Sequence, residues 1–216
     1  MITSSLGTFL WIMSAYLYFF KYKTQMSSYY DVAFIAVVIL FLYFINVEIM
    51  KERCGVFSSV VTPTIVPWLL IFLPFMAALS FFPAWKTPFS NTFGYLVLSL
   101  TEGVDSIKKI VKNQSQLELI YQSPSLLINQ FTYDTFDDVA KEKYKDVFVK
   151  REDGAVAVAA LDEFKNILLL KEIVATWIWY MLIGSITVST SYMMMMNSDC
   201  TKTVDDYLMD RARSTQ

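Results

Sequence analysis

Four long runs of apolar residues with few or no charges dominate the hydrophobic pattern of the chain. They extend over residues 2–20, 32–50, 62–84 and 173–196. Because an α-helix rises about 1.5 Å per residue, a run of roughly 20 residues is long enough to cross about 30 Å of hydrocarbon. The pattern therefore predicts about four transmembrane helices. Residues 2–20 form the shortest of these runs.

Aromatic and basic side chains stand at the ends of these runs. Tyr18 and Lys21 lie at the end of the first run, Trp85 and Lys86 follow the third, and Trp177 lies near the start of the fourth. Such side chains prefer the interface between hydrocarbon and water. Their positions support the predicted spans.

Prolines interrupt the third predicted span. Pro67 and Pro74 each remove a backbone donor from a helix interior, so a straight helix is not expected there. One interpretation is a packed, kinked helix, and the other is a gated hinge. The first is favoured because proline is common in membrane-spanning helices.

Between the third and fourth runs, the pattern changes to helical periodicity. Apolar residues recur every three or four positions from Leu96 to Val111 and again from Phe136 to Val147, which predicts two amphipathic helices. From Asp153, a candidate N-cap, one helix of roughly 40 residues is predicted to continue into the fourth span. The alternation over residues 155–159 also fits a short strand.

These elements predict an all-α membrane protein with about four transmembrane helices and a helical soluble region between the third and fourth. The expected organisation is a three-span anchor over residues 1–84, the soluble region over 85–171, the fourth transmembrane helix over 172–197 and a C-terminal tail over 198–216.

Composition supports a membrane protein and removes several function classes. Hydrophobic residues make up 55% of the 216 residues, against about 45–50% in soluble domains. Residues 83–171 hold 11 basic and 12 acidic side chains, so nucleic acid is not an expected partner. The chain has no histidine, two cysteines and six scattered glycines. We therefore expect no catalytic, cofactor or metal site, no small-molecule substrate and no enzymatic activity.

Small and polar residues on the fourth span predict a helix-packing face. Ser185 and Ser189 are four residues apart, as are Thr187 and Ser191, and Gly184 adds room for a neighbouring helix. This face is expected to pack on protein. In the second span, Asn46 is an amide about one turn from the end.

A four-span topology places both cysteines on the same side of the membrane. Cys54 follows the second span and Cys200 follows the fourth, so either a disulfide between them or two unpaired thiols is consistent with the sequence. The glycosylation sequon at Asn113 lies on the opposite side, so a disulfide between the cysteines and a glycan at Asn113 cannot both be lumenal. We expect a cytosolic soluble region and an unglycosylated Asn113. Basic residues near the span ends, Lys171 among them, number five on each side and do not decide the orientation.

The last span resembles the C-terminal anchor of internal-membrane minor capsid proteins from nucleocytoplasmic large DNA viruses of the phycodnavirus and iridovirus type. The resemblance is carried by Thr176-Trp177-Ile178-Trp179-Tyr180-Met181-Leu182-Ile183-Gly184, by Ser191-Tyr192 and by Asn197-Ser198-Asp199-Cys200. It implies a structural role in the virion internal membrane, derived from host endoplasmic reticulum. The implied partners are the lipid bilayer and other capsid or membrane proteins.

Two further hypotheses remain open. A small transporter or channel subunit would use the kinks at Pro67 and Pro74 and the polar face of the last span. A membrane enzyme would require carboxylates such as Asp137 and Glu163 to gather at the membrane surface, and it has the least support.

Overall fold

The structure is a computed structural model that describes residues 2–25, 29–54, 60–100, 103–112, 115, 128–129, 131–138, 147–149, 153–198 and 200. Contacts divide the chain into two units. Unit 1 contains Met1–Phe81 and Tyr180–Gln216, and unit 2 contains Phe82–Trp179. One boundary lies close to the predicted end of the three-span anchor. The other lies inside the predicted fourth span and not at its start.

Unit 1 is built from long apolar helices. Helix α1 (Ile2–Tyr16) continues as a π-helix (Leu17–Lys23), and α2 (Tyr29–Cys54) follows. Next come α3 (Val61–Pro67), a second π-helix (Trp68–Phe72) and α4 (Leu73–Phe81). The last part of a helix that begins in unit 2 completes the unit.

Within the described residues, three helices are long and apolar enough to cross a membrane, namely Tyr30–Cys54, Val61–Phe81 and Ala155–Asn197. They indicate a membrane protein. Residues 2–20 are not among them, although α1 and the π-helix that follows it are continuous from Ile2 to Lys23. The prediction of a fourth crossing at the N-terminus stays a prediction.

The proline-containing span keeps its helical course through a local change of pitch. The wider turn of the π-helix Trp68–Phe72 lies between Pro67 and Pro74. Pro74 has no N–H to donate to the carbonyl of Leu70, so the ordinary hydrogen-bond ladder is interrupted there. The predicted departure from a regular helix is located in this turn.

Unit 2 begins with short consecutive helical segments. They are a 3-10 helix (Pro83–Lys86), α5 (Thr87–Phe89), a π-helix (Ser90–Gly94), α6 (Tyr95–Leu100) and α7 (Gly103–Ile110). The core combines aliphatic side chains with four phenylalanines, Phe131, Phe136, Phe148 and Phe164, all at most 2% exposed. In the described part of the chain, the β pairing consists of one bridge, between Val111 and Phe148. The all-α class is confirmed.

The longest element is α8 (Ala155–Asn197), a single helix of 43 residues, about 64 Å long. It confirms the predicted continuous helix, and the alternative strand over residues 155–159 is wrong. The predicted N-cap is also wrong, because Gly154, with a φ of 112°, lies between Asp153 and the helix. The charge-free part of α8, which the sequence predicts to cross the membrane, begins at residue 173.

The second predicted amphipathic helix differs from the structure at its end. Residues 136–138 are helical, and 139–146 lie outside the described residues. Val147 is in a turn, and Phe148 pairs with the chain that follows α7. The backbone N–H of Val149 donates to the carbonyl of Ile110 at 2.8 Å. The prediction of a helix that extends to Val147 is therefore wrong, because this segment forms hydrogen bonds with another strand-like segment instead.

Candidate functional site

A buried amide joins three helices of unit 1. The Asn46 side chain in α2 donates through Nδ2 to Thr64 Oγ1 in α3 at 2.8 Å and to Ser191 Oγ in α8 at 3.1 Å. All three side chains are at most 4% exposed. Because hydrocarbon offers no alternative partner, separating these groups would leave polar atoms unsatisfied. The cluster therefore favours one fixed arrangement of the three helices.

The same end of α2 is joined to the end of α8 by further contacts. The Sγ atoms of Cys54 and Cys200 are bonded in the structure, with their Cα atoms 5.5 Å apart. The Arg53 guanidinium donates to the carbonyl oxygen of Met195. Met195 is also buried against Met50 in a small apolar cluster. The structure thus contains the disulfide that the sequence left open.

Gly184 lies where a side chain would collide with a neighbouring helix. A Cβ atom there would be 2.0 Å from Cζ of Phe9 in α1. The Phe9 ring is fully buried and contacts Trp68 and Phe72 edge-on, with centroid distances of 6.0 and 6.5 Å. Glycine at this position lets α8 approach the aromatic cluster closely.

The other predicted packing residues differ in their burial. Thr187 and Ser191 are buried, and the Thr187 hydroxyl donates to the carbonyl of Ile183 in its own helix at 2.8 Å. Ser185 and Ser189 are half-buried. The buried line of α8 therefore follows Gly184, Thr187 and Ser191. Asn113, the sequon residue, lies outside the described residues.

Unit 2 buries a lysine beside its aromatic core. Lys171 is 2% exposed, and its Nζ donates to the backbone oxygen of Ile128 at 3.2 Å and to the amide oxygens of Asn91 and Asn129, each at 3.3 Å. Burial lowers the pKa of Lys171 to about 8. Gly94 makes room for this side chain, since a Cβ there would lie 2.6 Å from Cγ of Lys171. The lysine connects three segments of unit 2.

The neighbouring carboxylate, Glu172, is half-buried. Glu172 accepts a hydrogen bond from the backbone N–H of Tyr133 at 2.7 Å, and burial raises the pKa of its carboxyl group. Lys171 and Glu172 therefore both contact segments that are distant in sequence. These contacts position the chain around residues 128–133 against α8.

The two carboxylates proposed for a membrane enzyme do not share a partner. Asp137 forms an ion pair with Lys165 at 2.6 Å. Glu163 pairs with Lys109 at 2.9 Å and accepts a hydrogen bond from Ser106 at 2.6 Å. The hydrogen bond from Ser106 has the largest effect on the pKa of Glu163 and lowers it, and the hydrogen bond from Lys109 lowers it further. Both side chains have the contacts of surface ion pairs, and among the described residues no group of three metal-ligating side chains is found.

Sequence reasoning identified Gly184, the cysteine pair and the position of Asn46, but it missed the role of Lys171. The sequence predicts an interface position for that lysine, because it lies two residues before the charge-free run. Gly94 and the acceptors at residues 91, 128 and 129 are distant in sequence, and no local pattern marks them as its partners. Only the fold brings them together.

Taken with the fold, these sites define a helical membrane protein with a joined set of spans and a small aromatic-cored unit. Comparisons with protein-family models, with curated proteins and with solved structures find no match for this chain.

Proposed function

We propose that the chain is a structural membrane protein, in which unit 1 is the anchor and unit 2 is the attachment point for another protein. The observation that carries this proposal is the Asn46 cluster, whose two hydrogen bonds join three helices inside the apolar unit. Such a cluster favours a fixed anchor, because rearranging the helices would expose polar groups to hydrocarbon.

Unit 2 offers contacts that suit a protein partner. Leu96 and Leu100 in α6 are 54% and 79% exposed. Ion pairs such as Lys109–Glu163 and Lys112–Asp153 lie elsewhere on the unit. Two exposed apolar side chains one helical turn apart suit contact with another protein. The proposed role is structural and not enzymatic.

The specific form of this proposal follows from the resemblance of the last span. The chain would be a minor capsid protein of a large icosahedral DNA virus and would link the internal membrane, derived from host endoplasmic reticulum, to the capsid shell. Its partners would be the lipid bilayer and other capsid or membrane proteins.

Site-specific photo-crosslinking in assembled particles tests this role. A photoreactive residue at Leu100 is expected to form adducts with a capsid protein. The same residue at Leu70, which is 71% exposed on the anchor, is the matched control and is expected to form adducts with lipid. Lipid adducts alone at both positions, or particles that assemble normally without this chain, would contradict the capsid role.

The alternative role, a transporter or channel subunit, makes a different prediction. Two of the hydroxyls that would line a path on α8 have protein partners, since Thr187 donates to Ile183 and Ser191 accepts from Asn46. Liposomes that contain only this chain are therefore expected to release ions and small solutes no faster than empty liposomes. A flux that is lost when Asn46 is substituted would indicate a channel and would contradict the anchor role.

A further inference from the structure

A row of aromatic rings lies on the exposed side of the helical segment that opens unit 2. The 3-10 helix, α5, the π-helix and α6 follow one another without a break over residues 83–100. Phe82, Trp85 and Phe93 are 56%, 47% and 46% exposed, and Phe89 is half-buried. The rings of Phe82 and Trp85 stack at a centroid distance of 5.7 Å, and those of Phe89 and Phe93 at 6.4 Å. These four residues form the aromatic stripe.

The other face of the same segment is covered by protein. Ser90 and Leu98 are 6% and 0% exposed, and Gly94 between them lies against Lys171 of α8. Residues 90, 94 and 98 are four positions apart and therefore share a face of the helix. The segment thus has one face that packs within unit 2 and a second, aromatic face that stays largely exposed.

Trp179 fixes the level of the aromatic stripe along α8. Its ring contacts Phe89 and Trp85, with centroid distances of 5.5 and 6.5 Å. Trp179 lies six residues after Ile173, the first residue of the charge-free run, which is about 9 Å along the helix. Amphipathic helices on membranes bury their apolar face about 5–10 Å into the boundary between headgroups and acyl chains. Trp85 and Phe89 therefore lie at the level of that boundary.

The segment leaves this level before α6 begins. Gly94 lies against Lys171, which is two residues before the charge-free run. Between Phe89 and Gly94 the segment therefore runs antiparallel to α8, from the level of Trp179 to the level of the last lysine before the run. Phe93, next to Gly94, is the outer end of the aromatic stripe.

The composition of the segment also favours lipid over a protein partner. Over residues 82–101 the chain has one charged side chain, Lys86, and the first carboxylate is Glu102. Tryptophan prefers the interface between hydrocarbon and water, and a lysine stem can extend its charge to the headgroups. Phe82 directly follows the helix Val61–Phe81, which is long and apolar enough to cross a membrane. The aromatic stripe therefore continues from a surface suited to lipid.

We propose that the aromatic stripe binds the bilayer, with the rings of Phe82, Trp85 and Phe89 at the boundary between headgroups and acyl chains and Phe93 at its outer edge. The soluble region then begins after Phe93 and not at residue 85. Leu96 and Leu100 lie beyond the stripe, so this inference does not depend on the capsid role.

The test uses the full-length chain as the only protein in phosphatidylcholine bilayers, with a photoreactive phenylalanine analogue at single positions. At Trp85 the analogue is expected to form adducts with phosphatidylcholine. Lys108 in α7 is the matched control, because its side chain is also 47% exposed. The adjacent Lys109 pairs with Glu163, ten residues before Ile173 on α8. Lipid adducts at Lys108 are therefore expected to be severalfold fewer than at Trp85.

The position of each adduct on the lipid measures depth, and mass spectrometry of the fragments locates it. Leu70, which is 71% exposed near the middle of its span, is the reference for the bilayer interior. Adducts at Trp85 are expected on acyl carbons closer to the glycerol than those at Leu70. The analogue at Phe82 repeats the measurement with the contact between Trp85 and Trp179 intact. Disulfide formation, measured on a non-reducing gel, verifies that each variant has folded.

Three outcomes would overturn the proposal. The first is a yield of lipid adducts at Trp85 and Phe82 no higher than at Lys108, which would place the aromatic stripe in water. The second is adducts at Trp85 as deep in the bilayer as those at Leu70. The third is adducts with a second copy of the chain in place of lipid, which would assign the aromatic stripe to a protein interface.

Discussion

Replacing Gly184 by alanine tests how tightly α8 packs on the aromatic cluster. The added Cβ would lie 2.0 Å from Cζ and 2.1 Å from Cε1 of Phe9. Phe9 cannot move aside easily, because its ring is fully buried against Trp68 and Phe72. Gly184→Ala is therefore expected to separate α8 from α1 or to displace the ring.

The magnitude follows from two opposing effects. Overpacking of a filled core costs about 1–3 kcal/mol, and the upper part of that range applies because rings surround Phe9. Replacing glycine by alanine inside a helix gains about 0.5–1 kcal/mol. The net expectation for Gly184→Ala is a loss of about 1–2.5 kcal/mol in the free energy of unfolding. Gly7→Ala is the matched control, because nothing lies within 4 Å of its added Cβ.

Thermal unfolding in detergent, followed by tryptophan fluorescence, measures the difference between the two variants. A gap of about 2–3 kcal/mol corresponds to about 4–12 °C in Tm for a chain of this size. Adding Phe9→Leu to Gly184→Ala should recover part of the loss, because the atoms that collide are removed. Equal stability of Gly184→Ala and Gly7→Ala would refute the close packing.

Three further outcomes are expected. Asn46→Leu leaves the hydroxyls of Thr64 and Ser191 without their shared donor, so the free energy of unfolding should fall by about 1–3 kcal/mol in a denaturant titration; an unchanged midpoint would contradict the role of the cluster. Cys54→Ala should abolish the mobility shift between reducing and non-reducing gels and cost about 2–4 kcal/mol, whereas a wild type without any shift would exclude the bridge. Burial lowers the pKa of Lys171 from 10.5 to about 8, so between these pH values the unfolded chain binds more protons than the folded chain. Stability should therefore rise as the pH increases from 8 to 10.5, and Lys171→Met should remove that rise if the lysine causes it.

The long helices were predictable from the sequence because hydrocarbon imposes a simple rule. A charge-free run of sufficient length must form a helix, and no breaker separates the 173–196 run from the preceding residues. The N-terminal run has one feature that hydropathy does not register, the change from α-helix to π-helix at Leu17. Hydropathy measures the preference of side chains for hydrocarbon over water and not the hydrogen-bonding pattern of the helix backbone.

The contacts between helices were predictable only in part. Gly184 could be recognised as a packing residue, since small residues are common where membrane helices approach. Its partner Phe9 could not, because the residues that surround a packing site come from distant parts of the chain. The same reason applies to Asn46 and to Lys171, whose partners at residues 64, 191 and 128 are fixed only by the fold.

The position of the second cysteine also sets an order of events during biosynthesis. Cys54 and Cys200 are separated by 146 positions, so at about 5–20 residues per second the first thiol waits roughly 7–30 s for its partner to be translated. Throughout that interval Cys54 is a reactive group on a nascent chain, able to pair with a neighbouring polypeptide. Oxidation of the correct pair therefore cannot precede the translation of Cys200, long after the second helix has left the ribosome.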